Sequence, residues 1–144
     1  MPVGLKIYSA ATGVEPFSVN GSMLNPLVLS IDGRLGGASE TLLYVANDDP
    51  SNSFTNIVVS FAQNPGQDIV NGTNSYSWKL IAGATQPIEQ QWAVTDAGSS
   101  ITLPDISDIV TFSPFWLRIE VPLGAPVDNF NHVSLEIDAV ATPV

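Results

Sequence analysis

Phe115 to Val121 reads FWLRIEV, and His132 to Val140 reads HVSLEIDAV. In the first stretch Phe115, Leu117, Ile119 and Val121 alternate with Trp116, Arg118 and Glu120. In the second, Val133, Leu135, Ile137 and Ala139 alternate with Ser134, Glu136 and Asp138. Successive side chains of a strand point to opposite faces, so a period of two means one buried and one wet face. Antiparallel sheets have that asymmetry. Strands of parallel sheets are covered on both faces and read as continuous apolar runs. The two stretches therefore predict antiparallel strands with Arg118, Glu120, Glu136 and Asp138 on the solvated side.

Similar signals recur toward the N-terminus at the spacing of a sandwich. Strands are predicted at Leu5–Ser9, Leu27–Asp32, Thr41–Ala46, Asn56–Ala62, Tyr76–Ala82 and Ser99–Pro104, with a short one near Phe17 as an option. Asn20-Gly21, Gly33 to Gly37, Asn64-Pro65-Gly66 and Asn71-Gly72 punctuate them as turns. Gln86 to Val94 is the one candidate helical turn, with Ile88 and Trp92 on one face. No long helical period separates the strands, so βαβ crossovers are excluded. The expected fold is all-β: an antiparallel β-sandwich of seven to nine strands, most simply immunoglobulin-like, with a jelly roll as the alternative. Residues 1–26 read as an N-terminal strand or arm, and 27–144 as the sandwich domain.

Leu43 to Phe61, LYVANDDPSNSFTNIVVSF, sets two apolar strands around a polar interruption from Asn47 to Thr55. Asp48 and Asp49 stand side by side there. Two readings compete. The pair could join another loop, such as Asp128 and Asn129, around a calcium ion, which takes six to eight oxygens. Alternatively Pro50 with its Asp, Asn and Ser neighbours is turn chemistry, and the aspartates are loop residues at a corner. Adjacent residues of an extended chain point apart and no EF-hand spacing occurs, so the corner reading is preferred.

Composition narrows the function. The chain of 144 residues holds 14 acidic and 4 basic side chains, a net charge of −10, and no cysteine. Thiolate zinc sites, disulfides and a cysteine nucleophile are excluded. Lys6, Arg34, Lys79 and Arg118 are scattered singly, so no basic patch meets nucleic acid or an anionic membrane. No apolar run reaches the ~20 residues of a membrane-spanning helix. The N-terminus lacks the pattern of a signal peptide, so the protein is expected to be cytoplasmic or to leave its producing cell without a classical cleaved signal. Charged residues are 12 % of the chain, against roughly 25 % in an average domain. A surface so poor in charge is less costly to desolvate and suits burial against other protein.

Candidate chemistry is sparse. His132 is the single histidine, and no G-x-S-x-G elbow accompanies it. Glu15, Glu40, Glu89, Glu120 and Glu136 are isolated in sequence, which is a weak basis for a glycosidase pair. GRLGG lacks the Gly-Lys-Ser/Thr ending of a phosphate loop. Asn20-Gly-Ser and Asn71-Gly-Thr read as turns rather than glycosylation sites. Trp78, sharing a face with Tyr76 and Leu80, reads as core. Trp116 falls on the opposite face from Leu117 and is expected to be exposed, and Trp92 lies in a connection. A sugar-stacking platform of the three is the lesser reading. No catalytic, metal or cofactor residues are assigned, and the expected role is non-enzymatic.

Taken together, LYVANDDPSNSFTNIVVSF, YSWKLIAGATQPIEQQW (76–92), PFWLRIEVP (114–122) and HVSLEIDA (132–139) resemble the strand patterns of small immunoglobulin-like structural proteins of tailed bacteriophages. The resemblance spans residues 27 to 140. It implies a virion component made in the host cytoplasm: a capsid decoration or cement protein first, a neck, tail or fibre component second. It further implies other virion proteins as partners and a homo-oligomeric state, and carries no catalytic residues. A free-standing carbohydrate- or surface-binding β-sandwich is the competing class.

Overall fold

The computed structural model describes residues 4–11, 16, 37–63, 77–121 and 133–144. Within them lie seven strands and one short helix: β1 (Leu5–Tyr8), β2 (Gly37–Asn47), β3 (Asn52–Gln63), β4 (Ser77–Ala82), α1 (Glu89–Ala93), β5 (Ile101–Leu103), β6 (Phe112–Val121) and β7 (Val133–Pro143). They form two antiparallel sheets, one ordered β1-β2-β6-β4 and the other β5-β3-β7. The inner faces share one core. Leu5, Ile7, Leu43, Val45, Leu80, Phe115 and Leu117 come from the first sheet, and Phe54, Ile57, Val59, Leu103 and Ile137 from the second, with Ile106 beside them. The predicted all-β, two-sheet antiparallel architecture with almost no helix is what the chain adopts.

The period-two reading of β6 holds on the inner side, where Phe115, Leu117 and Ile119 are buried. On β7, Ile137 is buried, Leu135 and Ala139 pack partly against the core, and Glu136 and Asp138 are exposed. Pro114 interrupts neither ladder of the central strand β6. Its carbonyl accepts the Gly83 N–H at 3.0 Å, just past the end of β4. A strand residue's nitrogen and carbonyl lie on the same side, so the proline ring replaces no donor to β2.

β3 departs from simple alternation. Phe54, Ile57 and Val59 are all fully buried, although the three-residue step from 54 to 57 should place its ends on opposite faces. A bulge repairs the phase. Thr55 pairs with Val140 and Val58 with Asp138, leaving Asn56 and Ile57 opposite Ala139. Asn56 takes φ +53° there, in the left-handed region that Asn tolerates better than most residues. The strand consequently starts at Asn52, four residues earlier than predicted, and the connection after β2 shrinks to residues 48–51.

Several other boundaries move. β2 begins at Gly37, inside the predicted glycine turn, β6 begins at Phe112, and β7 continues to Pro143. In α1, Ile88 is the residue just before the helix and is 59 % exposed, whereas Trp92 is buried. The two do not form one apolar face. The expected strand Leu27–Asp32, the option near Phe17, and His132, Asp128, Asn129, Glu15 and Arg34 lie outside the described residues.

Candidate functional site

Two polar constellations stand out, the corner after β2 and a charge cluster on the outer face of the four-stranded sheet. At the corner the chain passes from one sheet to the other. Asn47, buried at the end of β2, organises it. Its Nδ2 donates to the carbonyls of Asp49 (2.9 Å) and Asn52 (3.0 Å), and its Oδ1 accepts the Asp49 N–H at 2.7 Å. Asp49 then caps the turn: Oδ1 accepts the Ser51 N–H at 2.9 Å and Oδ2 accepts Asn52 Nδ2 at 2.7 Å. These bonds, Asn52 first, hold the Asp49 carboxyl below its ordinary value. A depressed carboxyl contributes stability above its unfolded value and loses it as pH falls through the folded one.

Asp48 faces away from that turn. Its Oδ2 pairs with Lys6 Nζ at 2.5 Å, and its N–H donates to the Gly4 carbonyl at 2.9 Å. The hydrogen bond to Asp48 raises the Lys6 ammonium pKa, despite some desolvation. The two aspartates therefore do separate jobs, one tying β1 to the corner and one folding the corner itself. Among the described residues, no three His, Cys, Asp or Glu side chains are grouped to hold a metal ion. Both aspartates serve the corner, while Asp128 and Asn129, the other half of the calcium reading, lie outside the described residues.

The second constellation centres on Arg118. β6 pairs Arg118 with Glu40 of β2 on one side and Lys79 of β4 on the other, so the three form a row across the sheet. Arg118 Nη1 donates to Glu40 Oε2 at 2.9 Å, and Nε donates to Glu120 Oε2 at 2.7 Å. From above, Glu89 of α1 takes Nη1 and Nη2 with its two oxygens, at 2.9 and 3.1 Å. Trp92 lies over the guanidinium, 5.7 Å from its ring centre, and its Nε1 donates to Glu40 Oε1 at 2.9 Å. Lys79 donates to the Trp92 carbonyl at 3.0 Å and stands 3.4 Å from Glu120 Oε1.

All six oxygens of Glu40, Glu89 and Glu120 are thus engaged. Burial pulls the Arg118 pKa down, but the bonds to Glu89 and Glu120 outweigh it and leave it raised. These bonds fasten α1 to the sheet. Arg118 and Glu120 were expected to be wet, yet Arg118 is only 7 % exposed, because α1 folds over it. The sequence signal that could have found this is slight: Glu89 and Trp92 lie three apart, one turn of helix, and Arg118 and Glu120 lie two apart on one strand face.

The tryptophans do not share a surface. Trp78 packs against the core on the inner side, edge-on to Phe61 at 6.2 Å. Trp92 is buried. Trp116 is half-buried on the outer face, its Nε1 donating to the Ala84 carbonyl at 3.2 Å. Tyr8 and Tyr44, paired across β1 and β2, meet the edge of Phe112 at 5.3 and 6.4 Å. Glu136 sits on the other sheet, away from the three glutamates of the Arg118 cluster. No helix among the described residues is long and apolar enough to cross a membrane. No protein-family model, curated protein or solved structure matches this chain.

Proposed function

We propose that the protein is a non-enzymatic structural component of a bacteriophage virion, foremost a capsid decoration or cement protein, with a neck, tail or fibre position as the alternative. In this reading the two sheets form an immunoglobulin-like sandwich, self-associate and contact other virion proteins. The observation that carries it is how the charged groups are used. Lys6, Lys79 and Arg118 are each in ion pairs within the chain, and the three clustered glutamates are bonded to Arg118, Lys79 and Trp92. Charges spent on fastening the fold, in a chain with so few of them, suit a durable building block covered by neighbours. The test is sedimentation of phage particles through a density gradient. The protein should stay with the particles, and its recovery only as a free monomer would overturn the reading.

A second reading is a free-standing carbohydrate- or surface-binding module. It draws on Trp116 and Tyr44, both half-buried on the same outer face. Saturable glycan binding by a monomer, lost on Trp116→Ala, would favour it.

A further inference from the structure

Residues 83–100 carry the chain from β4 in one sheet to β5 in the other, and α1 lies within them. On the way they cross the outer face of the four-stranded sheet. Two glycines bracket the crossing, Gly83 at φ +121° and Gly98 at φ +79°. A Cβ built on Gly83 would meet nothing within 4 Å, so backbone conformation rather than space calls for glycine there. Both ends are pinned to the sheet. The Gly83 N–H donates to the Pro114 carbonyl at 3.0 Å, and the Gly98 N–H to the Trp78 carbonyl at 2.8 Å. A few such positions at the ends of a segment can absorb the φ/ψ change of a hinge.

Between the pins the segment is held mostly by polar contacts. Of residues 84–97 only Pro87 and Trp92 are buried, and neither belongs to the cluster between the sheets. Ile88 and Val94 are exposed. The connection after β5, by contrast, sends Ile106 into that cluster. Glu89 holds Arg118, Trp92 Nε1 donates to Glu40, and Lys79 donates to the Trp92 carbonyl. Gln86 reaches Glu40 at 3.4 Å, and Trp116 Nε1 donates to the Ala84 carbonyl. All of these partners stand on the outer face of β2, β4 or β6. Segments with few buried apolar contacts open at lower free energy than the core they lie on. We propose that residues 84–97 are a strap that undocks from the sheet as a unit about Gly83 and Gly98 while both sheets stay folded, with the Glu89–Arg118 bridge as its latch. Undocking brings Arg118 and Lys79, covered in the closed form, to the surface and parts Trp92 from Glu40. The strap is a property of the isolated chain and goes beyond the structural role proposed above.

The indole of Trp92 reports on the strap directly. Its N–H donates to Glu40 across the contact between strap and sheet, so fraying of the five-residue helix does not release it, whereas undocking does. The backbone amide of Leu117, buried in β6 between β2 and β4, serves as the reference for the sandwich. Hydrogen exchange of both is followed by NMR on the full chain, at fixed pH and in increasing low concentrations of urea. Local opening exposes little surface. The Trp92 indole should therefore be protected at least ~tenfold less than the Leu117 amide and exchange at a rate nearly independent of urea, while Leu117 exchange climbs with urea. Glu89→Gln should speed Trp92 exchange about two- to fivefold. A Trp92 rate that climbs with the same urea slope as that of Leu117 would show that the strap opens only with the whole molecule, and would overturn the proposal. An unchanged Trp92 rate in Glu89→Gln would remove the latch and overturn it as well.

Discussion

Gly4 shows how much a single position decides. It has φ +101°, and a Cβ built on it would lie 2.8 Å from the Asp49 Cβ and 3.0 Å from Asn47 Oδ1. Both neighbours are fixed by the hydrogen bonds of the corner, so neither has room to yield. Backbone strain of this kind costs about 1–3 kcal/mol for a side-chain-bearing residue, and the overlap adds to it. Gly4→Ala is therefore expected to lower stability by about 2 kcal/mol or more, seen as a drop of several degrees in Tm. An unchanged Tm would mean that β1 does not press on the corner as described. This dependence was not legible in the sequence. Pro50 and its polar neighbours announce a turn, and the turn is there. That Gly4, more than forty residues away, must lack a side chain follows only from the pairing of Leu5 with Asn47. Asn56 is similar: its left-handed φ matters because of the bulge opposite Ala139, and turn statistics alone do not place a bulge.

At the level of elements, alternation exposed the inner faces well and the outer face poorly. Leu117, Ile119 and Ile137 were found because core burial imposes a local period of two. Arg118 was misread because its cover comes from α1, a five-residue helix whose position on the sheet no local pattern reveals. The same packing makes unequal predictions for the two ends of one ion pair. Removing Arg118 leaves Glu40, its side chain 18 % exposed, without a cation, and Glu120, 30 % exposed, with Lys79 alone. Losing one partner of a buried pair costs about 3–5 kcal/mol, and the value here should approach that range because Trp92 also loses its seat. Glu89, with a side chain 79 % exposed, is well hydrated when unpaired, and Glu89→Gln should cost under about 1 kcal/mol. Urea denaturation of Arg118→Ala and Glu89→Gln measures the contrast. Equal losses would show that the cluster behaves as an ordinary surface network.

For the whole molecule, the question is whether its N-terminal residues are an appendage or part of the sandwich. Residues 1–26 read as a strand or an arm, and an arm that clamps a neighbour should be removable without unfolding the rest. Leu5 and Ile7, however, are 1 % and 7 % exposed and belong to the common core, and Tyr8 packs on Phe112. Burying each such side chain contributes about 1.5–3 kcal/mol. Together they amount to a large share of the 5–15 kcal/mol typical of a whole domain. Deleting β1 would also turn the eleven-residue β2 into a bare edge and strip the corner of its contacts with Gly4 and Lys6. A chain lacking its first eight residues is thus expected to lose cooperative thermal unfolding or to aggregate, and weakened particle attachment in that variant would report unfolding as much as a lost arm. A cleaner probe of an arm keeps residues 4–11 and alters only residues 12–26. If the chain without β1 instead melts cooperatively at the wild-type Tm, β1 is dispensable to the core.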